Sequence, residues 1–430
     1  MDEHEAGGAG EAVAPEPRVR ALLLLALPAL AVGVGSALTL WVLDVASDAL
    51  GELLWTIVPD AVGVANGSPW WTIAVLTATG LLVGLTLRFV PGHGGADSAT
   101  TEFDSPPPPA TAVPSIAIAV VLGLAGGVSL GPENPIIAIN GALAVAAFAR
   151  VSRLVPQRLA VTLAVAGTIG ALFGTPVAAA LVLTGAVAAI RGGGSLWDKL
   201  FLPVASAAAG ALTMRMLGVD SMQVDVAPYT DPQLLDLATG FAVAAASALL
   251  GIAAAFAFPY LHRLFHALRD PVVFTTLGGA VLGALAVLGG PLTMFKGLEQ
   301  TAELVHEAGR YTVGALLVLA VVKVIALLVA ASSGFRGGRI FPAVFAGVAM
   351  GLAGHALIPG MPMGLAIACG ALGIVLVATR DGWIAIFLAL TITGDVALLP
   401  LLCVITLPTW LLVTKAPHLE VEADARRTPQ

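Results

Sequence analysis

Apolar residues arrive in long unbroken runs, without the period of two of a half-buried strand or the one-sided stripe of a soluble helix. The runs cover 21–43, then about 71–90, 111–130, 136–149, 159–190, 200–217, 234–259, 272–289, 311–331, 340–358, 362–379 and 383–414. A straight helix needs roughly 20 residues to cross a hydrocarbon core about 30 Å thick. The longer runs therefore predict membrane-spanning helices, and pieces such as 136–149 predict helices that begin or end partway through the membrane. The fold class that follows is an all-α polytopic membrane protein.

Polar stretches between the runs are few. Met1 to Arg20 is acidic and rich in Gly, Ala and Pro, and predicts a disordered tail. Pro91 to Pro114 and Asp220 to Asp236 are the sizeable internal ones, and the second reads as a connector between two halves. This gives one membrane domain over 21–415, with halves at about 21–218 and 235–415, and a short tail over 416–430 with no CBS regulatory domains. Arg18 and Arg20, just before the first run, predict a cytoplasmic N-terminus. The C-terminus is expected on the same side, in a cell inner (plasma) membrane.

Composition agrees and narrows the function. Hydrophobic residues make up 58% of the chain and charged ones 11%, far from the surface a soluble chain of 430 residues needs. The net charge of -7 comes from short loops and tails, with no basic patch, so nucleic acid is not an expected partner. Cys369 and Cys403 lie inside apolar runs and read as core residues. His93, His262, His266, His306 and His355 form no HExxH motif and read as loop or interface groups, so no metal, cofactor or catalytic set is expected.

The informative signal is a repeat. "LGPENPIIAINGALA" from Leu130 has a counterpart in "GGRIFPAVFAGVAMG" from Gly337, and their prolines, Pro135 and Pro342, are 207 residues apart, close to half the chain. An internal duplication is the economical reading. Each copy places a Gly-rich turn and an early Pro ahead of a helix, leaving backbone N–H groups at the helix start without intrahelical partners. With the positive end of the helix dipole behind them, those donors suit a small anion in a membrane, where fixed charge is costly. Ordinary capping would also use such turns. It does not require an ionisable Glu133 between spans, nor Arg336 and Arg339 flanking the other copy.

At these residues the chain resembles the CLC family of chloride channels and anion/proton antiporters, and within it a bacterial branch described only as ion-transport proteins. Gly131, Glu133 and Pro135 fall on the family's G-(K/R)-E-G-P motif, and Gly337, Gly338, Ile340 and Pro342 on its G-G-x-F-x-P motif, with Ile in place of Phe. "FGTPVAAALVL" from Phe173 and "LALTITGD" with Pro400 are similar to its subunit-interface segments. The resemblance implies two inverted halves, helix N-termini converging on an anion site, and a homodimer with one pathway per subunit. It implies that Glu133 is the gate, that Gly131, Asn134, Gly337, Gly338, Arg339, Ile340 and Phe341 line the anion site, and that Pro135 and Pro342 start its helices.

Departures from the pattern shape the expected activity. Pro132 and Asn134 stand where the family has a basic residue and Gly, and "GGADSA" from Gly94 is the nearest match to G-S-G-I-P, with Ala96 in place of the Ser and no Pro, so that Ser98 supplies a hydroxyl only if the loop shifts. Arg339 is expected either to restore positive potential near the pathway or to pair with Asp97 or Asp395 or snorkel. No Tyr occurs between Thr391 and Pro400, and no acid between Thr168 and Ile190, where the antiporters carry an inner glutamate, at Gly185 or Ala186 here. The leading expectation is passage of small inorganic anions, chloride first, by a channel-like or loosely coupled route. Proton-coupled chloride or fluoride antiport, with Asp395 as a relay, is the alternative; nitrate is a further candidate anion, and protons and lipid are the other partners. A membrane enzyme and a cation transporter are the remote readings, since converging carboxylates are lacking.

Overall fold

In a computed structural model the chain is described at residues 19–65, 67–100, 106–151, 155–188, 195–219 and 222–421. The expected N-terminal tail to Met1 falls outside these residues as far as 18, and the C-terminal tail outside them from 422.

Sixteen α-helices run through the described residues. In the first half they are α1 (Val19–Glu52), α2 (Val58–Val62), α3 (Pro69–Phe89), α4 (Val113–Ala125), α5 (Glu133–Val151), α6 (Gln157–Phe173), α7 (Pro176–Ala188) and α8 (Leu196–Met216). The second half supplies α9 (Leu234–His266), α10 (Pro271–Gly289), α11 (Leu298–His306), α12 (Val313–Ser332), α13 (Ile340–Leu357), α14 (Met363–Thr379), α15 (Gly382–Thr393) and α16 (Leu399–Val413). Seven helical segments are long and apolar enough to cross a membrane. Shorter ones such as α14 and α15 pack inside.

Local chemistry sets the boundaries. Asp270 accepts the Val272 N–H at 2.8 Å ahead of Pro271 in α10, and Asp381 accepts the Trp383 and Ile384 N–H groups in α15. Ser195 and Asp198 cap α8 reciprocally. Two of the expected single runs are broken: 159–190 becomes α6 and α7 around Gly174, and 383–414 becomes α15 and α16 around Gly394, both glycines left-handed. α1 continues nine residues beyond the predicted end at Leu43, because Asp44, Ser47 and Asp48 extend the helix as a polar turn. α11 escaped the run pattern because it is short and one-sided.

Large apolar side chains cover the outside of the molecule: Leu27 is 75% exposed, Leu411 75% and Leu288 71%, which in lipid is burial. The interior is built from small residues that let backbones approach. α3 crosses α10, joining the halves, and a Cβ added at Gly80 would strike the Thr275 carbonyl while one at Gly279 would strike that of Leu76. This is how helices associate in lipid, where apolar burial alone gives no drive. Gly80→Leu should therefore lower the stability of the detergent-solubilised protein by about 1–3 kcal/mol. Gly35→Ala, whose Cβ would meet open space, should be neutral or slightly stabilising in the same thermal melts.

Candidate functional site

The two copies of the repeat meet through their backbones. Gly131 N–H donates to the Gly338 carbonyl at 2.9 Å, and Gly338 N–H to the Gly131 carbonyl at 2.6 Å. These glycines are themselves 207 residues apart, so the contact joins equivalent positions of the two halves. Two residues later α5 starts at Glu133 and α13 at Ile340, each with Pro as its third residue, where a missing N–H costs nothing.

Glu133 lies between these helix starts and is fully buried. Its Oε1 accepts the Phe341 N–H at 3.1 Å, with the N–H groups of Ile340 and of Glu133 itself also directed at the carboxylate. Oε2 is buried without a hydrogen-bond partner. A Cβ at either Gly131 or Gly338 would collide with the carboxylate, so glycine at both positions is what allows it to sit there. Phe341 stacks on Phe173 at 6.0 Å between centroids, and Phe173 meets Phe387 edge-on at 6.2 Å, which closes one flank with aromatic rings.

Of the residues singled out in the sequence, Gly131, Glu133, Gly338, Ile340 and Phe341 come together here. Asn134 is half-buried beside Glu133 on the first turn of α5. Gly337 differs from expectation: its N–H donates to Ser98 Oγ at 2.8 Å, and that hydroxyl donates in turn to the Phe335 carbonyl at 2.8 Å. Ser98 thus pins the 91–100 loop to the second motif, and its single proton is already used. Arg339 donates to the Leu419 carbonyl and lies 3.9 Å from Glu420. Asp395 instead accepts the Ala397 N–H at 2.9 Å and the Tyr229 N–H at 2.5 Å.

Two features went unseen in the sequence. Residues expected as a free tail after Lys415 fold back over the site, with Leu419 only 3% exposed and Val421 N–H donating to the Ala99 carbonyl at 2.8 Å. Lys323, the lone charge within α12, is fully buried and donates to the carbonyls of Thr293, Met294 and Phe295 at 3.2, 2.8 and 2.9 Å. Phe295 N–H bonds the Gly127 carbonyl at 3.0 Å, so this lysine braces the turn that leads into the first motif. Its signal was one Lys in an otherwise apolar run.

The geometry defines a polytopic membrane protein of two inverted halves whose helix starts converge on a buried carboxylate. Within that class the chain belongs to the voltage gated chloride channel family, whose model matches residues 78–412. It is 46% identical over 415 residues to "Putative ion-transport protein YfeO" of Escherichia coli strain 55989 / EAEC, covering 96% of this chain and 98% of that one. The protein of the same name in strain HS of serotype O9:H4 is 45% identical over the same shares. The fold is similar to the crystal structure of a CLC-type fluoride/proton antiporter, with a TM-score of 0.68 at 18% identity over 95% of this chain and 100% of that one. It is also similar to a slow cyanobacterial Cl-/H+ antiporter, with a TM-score of 0.79 at 16% identity over 93% and 96%.

Ser98→Ala should leave the Gly337 N–H and the Phe335 carbonyl buried and unpaired, at a cost of about 1–3 kcal/mol. Thr391→Ala, which removes only a hydroxyl bonded one turn back in its own helix, should stay within about 0.5 kcal/mol in the same thermal melts.

Proposed function

We propose that this chain carries small inorganic anions, chloride first, across a membrane, with the Glu133 carboxylate as a tethered stand-in for the transported ion. The observation that carries the reading is the seat of that carboxylate: fully buried, held at Oε1 by the Phe341 N–H at the start of α13, and unpartnered at Oε2. Such donors carry no fixed charge, so a halide can replace the carboxylate without leaving a buried cation unpaired. Gly131, Asn134, Gly338, Ile340 and Phe341 supply the lining, and Arg339 adds positive potential from just outside. Protonating Glu133, or swinging it aside, frees the donors.

The route is channel-like or loosely coupled. α7 carries no acid between Pro176 and Ala188, and Asp395, the other acid considered as a relay, is engaged as a cap. The related folds named above are those of a chloride/proton and a fluoride/proton antiporter, which supports the halide class.

Orientation follows from charge. Arg18 and Arg20 stand just before the first apolar run in the sequence, and Arg88 stands at the end of α3. Arg88 pairs with Asp270 at the start of α10, so Arg263 and Arg269 gather there too. That basic face is the cytoplasmic one, and the membrane is the cell inner (plasma) membrane. The exposed apolar faces of α7, α8, α15 and α16 are the candidate surface for a homodimer.

Proteoliposomes loaded with chloride, fluoride or nitrate, with internal pH recorded, test the reading. Chloride efflux should rise as pH falls, because protonation releases the amides, and no proton should move against its gradient. Glu133→Gln should flux anions with little pH dependence. Absence of flux for every anion, or a pH profile unchanged in Glu133→Gln, would overturn it, and uphill proton movement lost in Glu133→Gln and Glu133→Ala would establish antiport instead.

A further inference from the structure

Away from the anion site, at the end of α9, two histidines one turn apart and an aspartate 165 residues earlier in the chain turn their ligating atoms toward one another. We propose that Asp97, His262 and His266 form a binding site for a divalent transition metal of the zinc class.

The distances suit a shared ion. His262 Nε2 lies 3.2 Å and His266 Nε2 3.4 Å from the same carboxylate oxygen, Oδ2 of Asp97, and all three atoms fall within 4.8 Å of one another. Ligand atoms around one tetrahedral zinc, with bonds of about 2.0–2.2 Å, are themselves roughly 3.3–3.6 Å apart. The rings are stacked at 3.9 Å between centroids, and Phe274 stacks on His266 at 4.8 Å, which holds its ring in place.

Tautomer chemistry points the same way. His266 Nδ1 faces the His262 carbonyl at 3.1 Å, and since a carbonyl only accepts, Nδ1 carries the hydrogen. In the neutral ring Nε2 then presents a lone pair to a carboxylate oxygen, an arrangement of two acceptors that a cation between them satisfies. A ring nitrogen fixed by an Nδ1–H to carbonyl bond is how metal-ligating histidines are ordinarily oriented. The other carboxylate oxygen, Oδ1, is held by the Ala99 N–H at 3.1 Å and lies 3.6 Å from Arg336, while Oδ2 faces the imidazoles.

Two imidazoles and one carboxylate select Zn²⁺, Co²⁺ or Ni²⁺ over Mg²⁺ or Ca²⁺, which prefer oxygen alone. The side chains of His262, His266 and Asp97 are 15%, 28% and 23% exposed, so an ion can reach them and water can complete the coordination. Asp97 adjoins Ser98, the hydroxyl that holds the second motif, so an ion here would clamp the end of α9 to that loop. The site itself does not depend on what the protein transports.

The test uses full-length protein in detergent, without a polyhistidine tag and stripped with chelator, titrated with Co²⁺ while visible d–d absorption is followed, then competed with Zn²⁺ and measured calorimetrically. The expected result is roughly one ion per chain, displaced by Zn²⁺, with affinity lowered about tenfold or more in each of Asp97→Asn, His262→Gln and His266→Gln. Zn²⁺ should raise the melting temperature of the wild type and not of the variants, whose own melts report whether they fold. No saturable binding by the wild type would mean that a proton alone satisfies the cluster and would overturn the proposal. Binding undiminished in the His262→Gln/His266→Gln double variant would place the ion elsewhere and do the same.

Discussion

A pair of backbone hydrogen bonds between Gly131 and Gly338 is the contact on which the rest depends. It joins equivalent turns of the two halves, so α5 and α13 begin side by side and both sets of orphan N–H groups face one volume. In lipid no water is available to those groups, and they must find a partner from within the protein. The Glu133 carboxylate is that partner. A residue with a side chain at either glycine would keep the turns apart or expel the carboxylate, and the two helix starts would no longer share a ligand.

Around this point the molecule is braced from several directions by bonds that close long loops. Ser98 ties the 91–100 loop to the Phe335–Gly337 turn, Lys323 ties α12 to the turn before α11, and the residues up to Val421 return to Ala99 and Arg339. Ser98, Lys323 and Arg339 each direct a side-chain polar group at backbone carbonyls. That pattern leaves the helix starts at the centre as the place where a charge can be exchanged.

The fold was largely legible because a membrane makes apolar run length a direct report of helix position, and because the duplicated motifs carry their own spacing. Gly131, Glu133, Gly338, Ile340 and Phe341 could be picked out together for that reason. What could not be read depends on partners far apart in the chain: Ser98 with Gly337, Arg339 with Leu419 and Glu420, Lys323 with three carbonyls, and Asp97 with His262 and His266. His262 and His266 stand four residues apart, but a helical pair without a neighbouring acid reads as ordinary, and its aspartate is 165 residues away. The end of α1 and the whole of α11 were missed for a different reason, since polar or one-sided turns continue a helix without lengthening an apolar run.

The central claim is that the amide donors at the start of α13 hold an anion in the seat that the Glu133 carboxylate otherwise fills. Crystals of the Glu133→Ala protein grown in bromide test it most directly through anomalous scattering. The account predicts a bromide peak at hydrogen-bonding distance from the Ile340 and Phe341 nitrogens, with no such peak in wild-type crystals where the carboxylate remains seated. A vacated seat with no bromide in it, or bromide beside an undisplaced Glu133, would contradict it.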